Sequence, residues 1–182
     1  MRTMFLLILI FSCDFSTNLP KQKAYFAPEF KTPEYDNVSL DCGYTFYKNL
    51  EATIKDFKNC NYEISYENFN AKIFINQIVF SESMDKVINV FNLKINENLK
   101  YSDQVIESDF FDPERRIYSK LYSFIGNSPS NIQFYLTNKI DKFLTGSLFF
   151  ETKPNYDSLY PNINYIKNDI KKMVSSFKWV DE

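Results

Sequence analysis

The chain contains no histidine. No imidazole is therefore available as a general base near neutral pH, which excludes Ser/His/Asp and Cys/His catalytic arrangements and any zinc or iron site with a histidine ligand. Glycine occurs three times in 182 residues, at Gly43, Gly126 and Gly146. That is too sparse for a GxGxxG turn or a P-loop around phosphate, and no cofactor or metal is expected. Neither sign of charge dominates: 21 Lys and Arg stand against 23 Asp and Glu, a formal net charge of −2. Without a basic stripe to replace counterions, nucleic acid is not an expected partner. Beyond the first dozen residues no apolar run is long enough to span a bilayer. What is abundant is aromatic: 13 Tyr and 19 Phe. The length suits one domain with a full core, and the charged and apolar fractions are those of a globular chain.

The opening differs from the rest. Arg2 precedes Met4-Phe5-Leu6-Leu7-Ile8-Leu9-Ile10-Phe11, which has the form of a signal-peptide core, apolar but too short to be a membrane span. Ile10-Phe11-Ser12-Cys13 then matches a bacterial lipobox: aliphatic residue, spacer, small residue, cysteine. In that chemistry the thiol takes diacylglycerol, the signal is cut before the cysteine, and the new amine is acylated, with palmitate as a typical chain. An ordinary secretory signal with an incidental cysteine is the plainer alternative. The lipobox reading is preferred because Cys13 sits directly at the expected cut. Several acyl chains on one residue make a firm anchor, so the membrane is an expected partner. The predicted organisation is a signal peptide over residues 1–12, an extended tether over 13–35 broken by Pro20, Pro28 and Pro33, and one globular domain over 36–182. Phe15, Tyr25, Phe26 and Phe30 of the tether can pack on the domain or on lipid headgroups.

An exported location leaves Cys42 and Cys60 in an oxidising space, where only one pairing is open to them. Closing that loop stabilises a fold by about 3 kcal/mol on the chain-entropy view. Two reduced, buried thiols are the alternative.

Periodicity in the body reads as four strands, a helix, four strands and a helix. Tyr44–Tyr47 is a short aromatic strand. Ala52–Phe57 and Asn61–Tyr66 flank a turn at Lys58-Asn59. Ala71–Phe80 is rich in β-formers, and its apolar face changes between Ile73/Ile75 and Ile78/Phe80, which predicts a bulge near Asn76-Gln77. Val87, Ile88, Phe91, Ile95 and Leu99 recur at helical spacing, with Ser81 or Ser83 as N-cap, predicting a helix over Ser83–Leu99. Strands follow at Val105–Phe110, Arg116–Phe124, Asn131–Thr137 and Phe143–Phe150. Gly146 within the last of these marks close approach of another group. Ile163, Ile166, Ile170, Met173, Val174 and Phe177 make one apolar stripe on a final helix, and Trp179 anchors the chain end. Short hairpin links and only two helices predict an α+β fold: a largely antiparallel sheet of about seven to eight strands with two helices packed on it.

The segment Phe143-Leu144-Thr145-Gly146-Ser147-Leu148-Phe149-Phe150, then Lys153-Pro154-Asn155-Tyr156-Asp157-Ser158, Asn168-Asp169-Ile170 and Trp179, resembles the gliding-motility lipoprotein GldD family of Bacteroidota. The resemblance extends upstream through Gln133–Thr137, Cys42-x-Tyr44 and Asn59-Cys60 to Cys13, and its specific part is the C-terminal third. It implies an envelope lipoprotein needed by the gliding apparatus and by the type IX secretion system that shares parts with it. In enterobacteria an Asp after the lipidated cysteine, as at Asp14, retains lipoproteins in the inner membrane. The placement expected here is the periplasmic leaflet of the outer membrane, with the inner membrane as the alternative. The resemblance supplies no catalytic residue.

Several side-chain groups admit both a functional and a plain structural role. Asn155, Tyr156 and Asp157 form a polar loop with one aromatic, suited to contact a partner. Alternatively Asp157 or Ser158 caps a helix starting near Leu159, with Pro161 in its first turn. Thr145 and Ser147 are placed on the exposed side of the last strand, with Thr145 taken as a further partner-contact residue. Glu107, Asp109, Asp112 and Glu114 lack the spacing of a calcium loop and read as a solvated edge. Ser175 and Lys178 have the spacing of a Ser–Lys pair but fall at a helix end, so they read as solvated surface. Tyr44, Tyr47, Tyr62, Tyr66, Tyr118, Tyr122 and Tyr135 fall on strands and can form a ladder for protein or carbohydrate. The functional expectation is a non-catalytic interaction or stabilising component of the gliding machinery; the alternative is a periplasmic module binding a small apolar or glycan ligand between sheet and helices.

Overall fold

The computed structural model of the chain describes residues 29–80 and 83–180. The predicted signal peptide, the lipid acceptor Cys13 and the tether residues Phe15, Tyr25 and Phe26 lie outside the described residues, as does Ser81. In chain order the elements are β1 (Tyr35–Leu40), β2 (Tyr44–Asn49), β3 (Thr53–Asp56), β4 (Asn61–Tyr66), a 3-10 turn (Glu67–Phe69), β5 (Ala71–Val79), α1 (Met84–Leu99), β6 (Gln104–Asp112), β7 (Ile117–Ile125), β8 (Ile132–Thr137), β9 (Lys142–Phe150), α2 (Tyr156–Ser176) and β10 (Lys178–Trp179). Seven strands form an antiparallel sheet in the order β3-β4-β5-β9-β8-β7-β6, and three form a small antiparallel sheet in the order β1-β2-β10. The α+β class, the antiparallel pairing and the two packed helices are as the periodicity predicts. The division into two sheets, and the strand β1, are not.

Each face of the large sheet has its own apolar cover. On one face Tyr62, Ile64, Tyr66, Ile73, Ile75, Phe134, Leu136, Leu144 and Leu148 pack against Ile163, Ile166, Ile170 and Met173 of α2 and against Tyr44 and Phe46 of β2. On the other face Phe91 and Ile95 of α1 pack against Tyr122, Phe124 and Phe143. Ser83 is the N-cap of α1, accepting from the Asp85 N–H at 3.2 Å, which satisfies an otherwise orphaned amide of the first turn.

This double cover corrects two expectations. The apolar change of face in β5 is not a bulge: pairing with β9 runs without interruption from Ala71↔Phe150 to Val79↔Lys142. Ile73 and Ile75 face α2, while Phe74 and Ile78 fall on the face shared with α1, so a strand apolar on both faces imitates a slipped period. For the same reason the other side of β9 is not exposed. Phe143 is fully buried and Thr145 is only 7% exposed, with its hydroxyl donating to the Asn76 carbonyl at 3.4 Å. The tyrosine ladder does not form either. Tyr44, Tyr62, Tyr66 and Tyr122 are buried, because aromatic burial dominates a core of this kind.

Cys42 and Cys60 form the predicted disulfide, with Cα atoms 5.6 Å apart. It ties the β1–β2 turn to the β3–β4 turn, and so joins the small sheet to the large one. The β3–β4 turn holds Lys58, Asn59 and Cys60 all at positive φ.

Gly146 lies at the centre of the large sheet, paired with Ile75 and Phe134. A Cβ placed there would fall 2.0 Å from Cζ of the Phe134 ring. The aromatic ring of one strand thus occupies the side-chain space of its neighbour. Gly146→Ala is expected to destabilise the fold by about 2–3 kcal/mol through overpacking, measured by urea unfolding. Combining it with Phe134→Leu should restore part of that loss, because the second change frees the space the methyl group needs.

Candidate functional site

α2 carries both polar features of interest, one along its length and one at its start. Asp169 falls three residues after Ile166 and four before Met173, on the buried side of the helix, and is 4% exposed. A lone carboxylate there would be strongly unfavourable. Its oxygens instead accept from the Tyr35 hydroxyl at 2.7 Å, the Asn49 amide at 2.8 Å and the Tyr66 hydroxyl at 3.1 Å. Those donors come from β1, β2 and β4, so one side chain of α2 gathers both sheets. Asn49 also donates to the Tyr165 hydroxyl at 3.1 Å and accepts from the Glu51 N–H at 2.9 Å. The chain before β1 joins the same region. Phe30 stacks on Tyr165 with centroids 4.8 Å apart, and the Lys31 carbonyl accepts from the Tyr165 hydroxyl at 3.3 Å. Lys172 lies over the rings of Tyr35 and Tyr47.

This environment acts on the tyrosines. Burial first, and then Asp169, pushes Tyr35 and Tyr66 above the ordinary tyrosine range; burial does the same to Tyr44. A phenolate beside the carboxylate would meet like charge and lose the proton that makes the hydrogen bond. The arrangement positions β1, β2 and β4 against α2.

The helix start differs from its prediction. α2 begins at Tyr156, three residues earlier than expected. Its N-cap is Asn155, whose side chain accepts from the Ser158 N–H at 3.4 Å, rather than Asp157 or Ser158. Pro161 consequently sits beyond the first turn. The Tyr156 N–H donates to the Asn127 side chain at 2.9 Å, which attaches the β7–β8 loop to the helix start. Asn155 and Asp157 are exposed, and Tyr156 is half-buried with its ring 5.8 Å from that of Tyr160. Asn155, Tyr156 and Asp157 are thus brought together on the surface. Thr145 is not with them but beneath α1's side of the sheet.

Three carboxylates of the acidic edge, Glu107, Asp109 and Asp112, have cationic partners. Lys120 lies 2.9 Å from Glu107 and 3.8 Å from Asp109. Arg115 pairs with Asp112 at 2.7 Å, and its guanidinium also donates to the carbonyls of Ser175 and Phe177, at 2.9 and 3.0 Å, satisfying the C-terminal end of α2. The Arg115 backbone N–H and then its side chain hold the Asp112 carboxyl below its ordinary range. Ser175 donates to the Lys172 carbonyl at 3.0 Å, an ordinary helix-backbone contact. Among the described residues no group of three or more His, Cys, Asp or Glu is placed to hold a metal ion, and no helix is long and apolar enough to cross a membrane.

The sequence matches the family model for the gliding motility lipoprotein GldD over residues 15–179. The chain belongs to the GldD family. No curated protein matches it. The GldD match takes in every strand and both helices, including Asp169 and the α2 start, so family membership concerns the whole folded body.

Asp169→Ala should take the acceptor from the Tyr35 and Tyr66 hydroxyls and from one of the two bonds made by the Asn49 amide. It is expected to lower stability by about 3 kcal/mol, against about 1 kcal/mol for Tyr66→Phe, read from urea unfolding. The tyrosines give a pH dependence of definite sign. Their folded-state pKa values lie above the unfolded value of about 10, so their contribution is complete below about pH 10 and is lost as pH rises toward the folded values. Phenolate absorbance of Tyr35, Tyr44 and Tyr66 is therefore expected only above pH 10, together with alkaline unfolding. Ionisation of all three near pH 10 in the folded protein would contradict the network.

Proposed function

We propose that the protein is a lipid-anchored, non-catalytic component of the gliding machinery and of the associated type IX secretion system, acting by binding and stabilising another envelope protein. The observation that carries this reading is the GldD family match across the folded body. Acyl chains on Cys13 hold the domain at the periplasmic leaflet of the outer membrane, and residues before the domain act as its tether. The contact surface is the start of α2, where Asn155 and Asp157 are exposed around the half-buried Tyr156. Capping and partner contact are compatible there. The Asn155 cap and the Asn127 bond to Tyr156 fix the backbone, and a rigid loop loses little freedom on binding. Thr145, being buried, is left out of this surface.

Two measurements test the proposal. A palmitate analogue fed to cells should label the protein at Cys13; Cys13→Ser should abolish the label and release the chain from the membrane fraction. A photo-crosslinker at position 155 or 157 in living cells should give adducts with other gliding or type IX secretion proteins, identified by mass spectrometry. An unlabelled Cys13, or crosslinks to solvent only, would count against it.

A further inference from the structure

The large sheet ends at β6, and among the described residues no strand pairs with its outer edge. The opposite end, β3, is only four residues long. β6 has nine, paired with β7 in one unbroken register from Gln104↔Ile125 to Asp112↔Ile117. Natural sheet edges are commonly blunted by proline, lysine, a bulge or short length; β6 has none of these. The ladder shows which of its backbone groups face outward. The Phe124 N–H donates to the Asn131 carbonyl at 2.8 Å, so the even-numbered residues of β7 bond to β8 and the odd-numbered ones, Ile117 to Ile125, bond to β6. In an antiparallel strand the N–H and C=O of one residue point the same way. Val105, Glu107, Asp109 and Phe111 of β6 therefore aim theirs away from β7, and each offers a donor and an acceptor along the edge.

A groove of about 610 Å³ runs beside this edge, between β6 and β7 on one side and the second half of α2 on the other. Ser108, the half-buried Phe110 and the buried Leu121 and Val174 line its depth, and the exposed Lys171 and Lys172 stand at its rim. A free edge strand next to a groove under a helix suits an extended peptide. Main-chain bonds along the edge supply affinity, and the groove receives every second side chain.

Charge narrows the partner. Phe110 packs toward α2 and Val105 toward α1, so by alternation Glu107 and Asp109 lie on the α1 side. Their side chains are 50% and 73% exposed and share one cation, Lys120, which leaves that side of the edge net negative. A second copy of β6, paired antiparallel over the full strand, would set Glu107 of each copy opposite Asp109 of the other, and like charges directly opposite are unfavourable. On the groove side, Lys171 and Lys172 repel a basic side chain. The complementary segment carries basic residues at alternate positions with apolar residues between them. We propose that β6 takes up an extended segment of another protein as a further antiparallel strand, with Lys or Arg opposite Glu107 and Asp109 and an apolar residue opposite Ser108 entering the groove. The same strand would cover Ile106 and Phe111, which are 43% and 60% exposed. This surface uses no residue of the α2 start, and the proposal goes beyond the assembly role without depending on it.

The test titrates the full-length protein in detergent with the peptide acetyl-TVKLKVT-amide, followed by calorimetry and by amide hydrogen exchange. The peptide should bind saturably and protect the amides of Val105, Glu107, Asp109 and Phe111, while those of Ile106, Ser108 and Phe110, already paired with β7, change little. Glu107→Gln combined with Asp109→Asn alters only exposed side chains and should weaken the peptide about tenfold at low salt. Acetyl-TVELEVT-amide should be weaker by a similar factor. Asp109→Pro removes an outward N–H that has no place in the β6–β7 ladder, so it should block binding while the sheet still forms. The proposal is overturned if the lysine peptide does not saturate, or if the glutamate peptide or the neutralised variant binds as tightly. It is equally overturned if bound peptide leaves the outward amides unprotected, or if a second copy or residues 1–28 of the chain already protect them in the unbound protein.

Discussion

The buried carboxyl of Asp169 is the contact on which the architecture turns. The large sheet needs cover on both faces. α1 supplies part of one, but α2 alone is too narrow for the other, and β1-β2-β10 completes it. A small sheet of this kind has little core of its own and is marginal in isolation. It is held by side chains that converge from outside: Tyr35 from β1, Asn49 from β2 and Tyr66 from β4, all donating to one residue of α2. A buried polar group with every partner in place specifies one arrangement of its elements. The Cys42–Cys60 bridge secures the same junction at its other end, and Phe177, stacked on Tyr44, and Trp179, edge-on to it, close it from the C-terminus.

Where periodicity governs, the sequence was legible. The alternation Ile132, Phe134, Leu136, the stripe from Ile163 to Phe177 and the glycine in β9 each reported a local environment that the fold then supplied. The pairing of Cys42 with Cys60 followed from compartment and count. Failures arose where one segment answered to two layers. β5 and β9 are covered on both faces, so the change of apolar parity read as a bulge and Thr145 read as exposed. β1 escaped notice because Asp36, Asn37 and Ser39 are polar and it lies at a sheet edge, where only one face needs apolar residues.

The polar sites were harder still, since a hydrogen bond between distant residues leaves no period. Asp169 did carry a signal: it stands at the stripe's own spacing between Ile166 and Met173, where a carboxylate must find donors or be excluded. The helix start lies at Tyr156 and not near Leu159 because Asn155 captures the Ser158 amide, and because Asn127, a residue of another loop, captures the Tyr156 N–H.

The central claim is that both sheets and α2 form one cooperative body, held at the Asp169 junction. Native-state hydrogen exchange measures this directly. Amides paired between β1 and β2 should exchange with the same opening free energy as those of β8 and β9 at the heart of the large sheet, and should fall below them only when Asp169 is replaced. If the β1–β2 amides of the unaltered protein already open at much lower free energy than β8 and β9, the small sheet is a loosely attached flap and the account fails.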